Sequence, residues 1–137
     1  MKIVVLKFGG TSVGTIEKIK KVSRIIGEFR KKKYKVIVVS SAMSGVTNEL
    51  VKKSRFLSEN FSESEYDVLV SSGEQMACSL IAGRLTNNGF KSRSWLGWQL
   101  PIYTNGSYKN SRIYQINKNK IIKYLRDGGI PIVAGFQ

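Results

Sequence analysis

Histidine is absent from the 137 residues, and cysteine occurs once, as Cys78. The first absence removes imidazole acid–base chemistry and ordinary zinc clusters, and the second removes any intrachain disulfide. Acidic residues are scarce, nine against 23 Lys and Arg. Proline occurs twice, and Pro101 argues against a central strand at its position. No apolar run reaches the roughly 18 residues of a membrane span. The start, Met1 to Lys7, is too short and too soon charged for a signal peptide, so a cytoplasmic location is the expectation. Any catalysis must rest on Lys, Arg, carboxylates, hydroxyls, backbone amides, or a metal held largely by phosphates.

What is present is enough for one domain with a core: 42% of the residues are apolar. The net charge of +14 would suit an anionic partner such as nucleic acid. The lysines are nevertheless spread through helical segments, and Lys31-Lys32-Lys33 reads as a solvated helix end favourable to the dipole. No nucleic-acid partner is therefore expected.

The chain is organised around Lys7-Phe8-Gly9-Gly10-Thr11-Ser12-Val13, directly after the apolar run Ile3 to Leu6. A buried strand hands over to two glycines, two hydroxyls and then a long helix, which can form a nest of backbone N–H groups for phosphate, with the Lys7 ammonium at its mouth. The plain structural alternative is a tight strand-to-helix connection. The segment is neither a G-x-G-x-x-G fingerprint nor a P-loop, because its lysine precedes the glycines.

Ile16, Ile19, Val22, Ile26 and Phe29 recur at helical spacing, predicting a helix over about 15–33 with Thr15 as its cap. Residues 36–39 form a second strand, ending in the hydroxyl-rich turn Ser40 to Asn48. Ligands bind at such turns, on the carboxyl edge of a parallel sheet, although Ser44 and Thr47 could simply satisfy helix-end amides. A helix over about 48–58 follows, then an exposed loop to Ser64 and a helical region from Tyr66. That region is predicted to break at 71–75, where Ser72 and Gln75 could form a capping box and place Glu74 in the first turn of a new helix. As a cap-region acid Glu74 needs no function. Residues 91–95 read as a short strand, 96–117 as short pieces with a hairpin turn at Asn105-Gly106, and the helix starting at Asn117 or Asn119 stops at Gly128-Gly129. A buried strand over 130–134, opened by Pro131, closes the sequence. Stopping just past it, where a loop should carry on, suggests that the natural protein continues, with that strand presenting an unpaired edge or a surface to the missing part.

Four separated motifs together resemble the aspartate kinases, members of the amino acid kinase family: Lys7 to Val13, Ser41-Ala42-Met43-Ser44-Gly45-Val46-Thr47-Asn48, Ser72-Gly73-Glu74, and Ile132 to Gln137. The likeness runs the full chain. Two departures lie at Gly97-Trp98-Gln99-Leu100-Pro101, where the family usually carries Gly-x-Gln-Ala-Gly, beside the expected substrate region.

The resemblance implies an α/β fold, an αβα three-layer sandwich around a mostly parallel sheet of the carbamate kinase-like type. Residues 1–137 would be the N-terminal part of the catalytic domain, without the nucleotide-binding lobe or the regulatory ACT domains, and inactive or nearly so alone. It implies phosphoryl transfer from ATP, with Mg2+ held mainly through ATP phosphates and no protein metal ligand, to the side-chain carboxylate of L-aspartate. That is the first step toward lysine, threonine and methionine. Lys7 would be catalytic and, with Phe8, Gly9 and Gly10, would bind the ATP phosphates; Ser41, Thr47 and Glu74 would bind substrate, Glu74 through the α-ammonium. The complete protein would form a homo-oligomer. An acetylglutamate, carbamate or uridylate kinase remains the alternative within the family, and a non-catalytic basic interaction module outside it.

Overall fold

The computed structural model describes residues 2–136. Strands β1 (Ile3–Phe8), β2 (Lys35–Ser40), β3 (Ser92–Trp95) and β6 (Ile130–Ala134) form one sheet in the order β1-β2-β6-β3. Every pairing in it is parallel. Helices α1 (Ile16–Lys31) and α3 (Glu63–Asn87) cover one face, meeting Val36, Val38, Ile130 and Ile132 through Ile26, Ile81 and Leu85. The opposite face carries α4 (Asn119–Arg126), where Ile121 and Leu125 pack with Trp95, Leu100, Ile37 and Val133. The three expected layers are present. Helix α2 (Val46–Leu57) lies against α3, and β4 (Ile102–Thr104) and β5 (Ile113–Ile116) form a separate antiparallel hairpin.

Of the two alternatives expected for β6, an edge or a surface, its placement removes the edge. It lies between β2 and β3, and the edges of the sheet are β1 and β3. Pro131 is tolerated there because the Ile130 N–H already points to the β3 side, donating to the Lys91 carbonyl at 2.8 Å. The missing N–H of Pro131 thus falls on the β2 side, where the ladder begins only at Ile132.

The break predicted at 71–75 does not occur, and α3 runs unbroken from Glu63 to Asn87. The Ser71 and Ser72 hydroxyls donate back to the Val68 and Leu69 carbonyls at 3.0 and 2.6 Å, satisfying themselves inside the helix instead of capping a new one. Gly73 remains helical because it faces a crossing: a Cβ there would lie 3.0 Å from Val46 Cγ1 and 3.2 Å from Ala42 Cβ.

Thr15 caps α1 as expected, its hydroxyl accepting from the Lys18 N–H at 3.2 Å. Three helices end alike. The N–H groups of Lys33 and Tyr34, of Gly89 and Phe90, and of Gly128 and Gly129 return to carbonyls of the preceding turn, with Lys33, Gly89 and Gly128 at positive φ. The Asn105-Gly106 pair does not make a two-residue hairpin turn. The connection spans 105–112, closed by the Arg112 N–H on Asn105 Oδ1 at 3.1 Å and the Asn105 N–H on the Arg112 carbonyl at 3.2 Å.

Candidate active site

The parallel strands bring three turns to one edge. The Ser41 N–H extends the β1–β2 ladder to the Phe8 carbonyl, and the Gly135 N–H extends the β2–β6 ladder to the Ser40 carbonyl, both at 3.0 Å. Leu6 and Phe8 face the core under α1 and α3, so strand alternation turns Lys7 to the other face, where it is exposed. Its ammonium forms neither of the two ion pairs among the described residues, Lys20–Glu17 and Lys109–Glu63.

The glycine turn is built for close approach. A Cβ on Gly10 would lie 3.0 Å from the Ala42 carbonyl oxygen, and one on Gly14 3.0 Å from Ser44 Cβ, so the first turn rests directly on the second. Gly9 faces open space. Neither Gly9 nor Gly10 has a positive φ, so the nest expected from the pair is not set by a left-handed residue there; the left-handed position in these turns is Gly45, at φ +85°. Gly45 is also the N-cap of α2, whose first amides receive no side-chain cap. Ser44 and Thr47 therefore do not spend their hydroxyls as caps. Thr47 is exposed in the first turn of α2, and Ser41 is half-buried at the end of β2.

Glu74 reaches this edge from α3 below. It is only 7% exposed, and its Oε2 accepts the Phe136 N–H at 2.7 Å. Burial pushes its carboxyl above the ordinary carboxylate value, opposed by amide hydrogen bonds from Phe136, Ala42 and Gly135. Glu74 is therefore fastened to the ends of both β2 and β6. One helical turn on, burial and the Glu74 charge push the fully buried Cys78 thiol up to about 12.

Sequence reading missed the way the hairpin is held over this edge. The Lys109 N–H donates to Asp67 Oδ2 at 3.0 Å, while its ammonium pairs with Glu63 at 3.2 Å and lies 5.1 Å from the Tyr66 ring centre. Asp67 lies two helical turns before Glu74, on the same face of α3; that spacing was the available signal. A cavity of about 190 Å³ between hairpin and sheet is lined by Asp67, Thr104, Ser111, Gly135 and Phe136. A second cleft, about 270 Å³, borders the glycine turn with Thr11, Ser12, Lys18 and Lys21, placing two further cations beside it. Leu100, one of the two departures beside the expected substrate region, is 1% exposed within the α4-side core.

No group of three His, Cys, Asp or Glu that could hold a metal occurs among the described residues. The exposed lysine and glycine turn suit a phosphate ligand, and the enclosed carboxylate suits a cationic one.

The profile of the amino acid kinase family matches residues 2–137. The chain belongs to that family. Among its relatives, the aspartokinase of Rickettsia conorii is 46% identical over 140 residues, covering all of this chain and 35% of that protein. The aspartokinase of Geobacillus stearothermophilus is 44% identical over 137 residues, covering all of this chain and 34% of that one. The chain thus spans about a third of the length of the curated relatives it matches. Among solved family structures, aspartate kinase from Synechocystis superposes with a TM-score of 0.83 at 33% identity, over 98% of this chain and 22% of that one. Carbamate kinase from Giardia lamblia bound to AMP-PNP shares the fold, with a TM-score of 0.69 at 13% identity over 98% of this chain and 56% of that one.

Proposed function

We propose that this chain supplies the acceptor-binding part of an enzyme that transfers a phosphoryl group from ATP to the side-chain carboxylate of L-aspartate, giving 4-phospho-L-aspartate. The observation that carries the reading is the Glu74 carboxylate, held by backbone amides beneath the same strand ends that present Lys7 and the glycine turn. The aspartokinase relatives support it, as does the fold shared with E. coli aspartokinase III in complex with aspartate and ADP.

Lys7, the Phe8 backbone, Gly9 and Gly10 take the ATP phosphates. Mg2+ would be carried chiefly by those phosphates and, when bound, would supply neutralisation of part of the charge that develops on transfer. Lys7 meets the same charge from the protein side, so its interaction is strongest in the transition state. The acceptor is held by Ser41, Thr47 and Glu74. A carboxylate can accept about four hydrogen bonds, so three amides leave Glu74 room for the substrate α-ammonium. No general base is required, because a carboxylate acceptor with a reference pKa of about 3.9 is already ionised near neutrality.

The complete enzyme, on this reading, adds a nucleotide-binding lobe and regulatory ACT domains, works in the cytoplasm as a homo-oligomer, and opens lysine, threonine and methionine synthesis. The test is an ATP- and aspartate-dependent hydroxamate assay on the complete gene product. Lys7→Ala should lower kcat by at least about a hundredfold, while Thr47→Ala should chiefly raise KM for aspartate. Activity with another acceptor and none with aspartate would overturn the substrate assignment.

A further inference from the structure

A large cavity lies away from the site described above. It is an open groove of about 620 Å³ between α1 and the C-terminal end of α3. Its floor is made by Gly27, where a Cβ would stand 3.2 Å from the Phe90 ring, and by Ser23. Arg24, Lys31 and Arg84 line it, and none of these three takes part in either ion pair among the described residues. Lys20 also lines it, already paired with Glu17 at 2.8 Å; the one carboxylate in the lining is Glu28.

Ser23 is the anomaly. It is 1% exposed, and its hydroxyl has no hydrogen-bond partner. Helical hydroxyls ordinarily bond back to a carbonyl three or four residues earlier. Ser54, Ser71, Ser72, Ser79 and Thr86 all do so in this molecule. Leaving a buried hydroxyl unpaired is costly, and it is left so beside a groove lined by four cations and one carboxylate.

We propose that this groove is a binding site for a small phosphate-bearing ligand, independent of the kinase reading and distinct from the Lys7 turn. Two guanidiniums on facing helices present the fork geometry that grips a phosphate through paired hydrogen bonds, and phosphate oxygens accept from Lys31 as well. With a shift of rotamer the Ser23 hydroxyl donates to the same group. Glu28 sets a limit, disfavouring a ligand whose charge extends along the whole helix.

The test is a titration of the ¹⁵N-labelled chain with pyrophosphate at constant ionic strength, following backbone amides by NMR, with AMP in parallel. Saturable shifts at Ser23, Gly27, Asn88 and Phe90, separate from any response of Gly9 and Gly10, are expected. Arg24→Gln with Arg84→Gln should weaken that binding about tenfold or more and leave the Gly9 and Gly10 response intact. Ser23→Ala should keep or raise Tm and weaken binding; an unchanged affinity would overturn the role of the hydroxyl. Tighter binding of AMP than of pyrophosphate would mark a nucleotide as the source of the phosphate, and the reverse a free polyphosphate. Equal shifts with chloride, or no saturation, would reduce the groove to screened surface charge and overturn the proposal.

Discussion

Glu74 Oε2 and the Phe136 N–H, 62 residues apart in sequence, meet at 2.7 Å and join the middle of α3 to the turn after β6. Because burial raises the carboxyl above its ordinary value of 4.5, the folded state holds the proton more tightly than the unfolded chain. Stability from this group is full below 4.5 and is lost as pH rises through the folded pKa. Glu74→Gln should remove that slope: relative to the parent, the variant gains stability as pH rises through this window. Urea unfolding of both proteins across pH checks the sign.

Gly73 allows α2 and the second turn to lie directly on α3. Gly73→Ala places a methyl within 3.0 Å of Val46 and 3.2 Å of Ala42, and the gain in helix propensity will not cover it. A loss of about 1–3 kcal/mol is expected, measured by chemical denaturation.

The residues gathered at this edge were legible because they sit in short contiguous motifs. Lys7, the two glycines and Glu74 are separable by eye, and the 3.6-residue spacing of α1 and the apolar run of β1 need no tertiary information. The reading failed where long-range packing decided. Ser71-Ser72-Gly73 looks like a helix break, yet the serines satisfy themselves locally and Gly73 is required by a helix that crosses it. That Leu100 is buried among Trp95, Ile121 and Leu125 also follows from packing no local pattern shows. The spacing to Glu74 marks the face of α3 that Asp67 occupies, but not that Lys109 will meet it there.

That last contact is testable in solution. Asp67→Ala removes the acceptor of the Lys109 N–H and should release the hairpin loop from α3. Hydrogen exchange at Lys109 should accelerate toward the unprotected rate while Leu85 and Ile132 keep their protection.

At the end of α1, Lys33 occupies a left-handed position, φ +63°, that glycine fills at Gly89 and Gly128. The Tyr34 ring, 5.7 Å from Phe29, holds the motif in place. Lys33→Gly should raise stability by up to about 1 kcal/mol, the strain relieved being partly offset by the freer unfolded chain. Thermal unfolding of the two proteins gives the difference.

Cys78 should resist alkylation in the folded protein, its thiol being fully buried and pushed up to about 12. Since burial outweighs the Glu74 charge as the cause, Glu74→Gln should leave the native labelling rate nearly unchanged. Mass spectrometry after timed iodoacetamide treatment, with and without urea, distinguishes native from unfolded labelling.

The strand order has a consequence for the order of folding. β1 and β2 can pair as soon as α1 spans them, but among the described residues β3 joins the sheet through β6, which follows it in sequence. The β3 segment must therefore wait while α4 forms and β6 threads into the gap beside β2, a closure that joins Val38 to Ile132 across α2, α3 and the hairpin. Assembly of the sheet should be limited by that single insertion, and the same event delivers the Phe136 amide to Glu74. The edge that would handle substrate is then among the last parts of the molecule to become native.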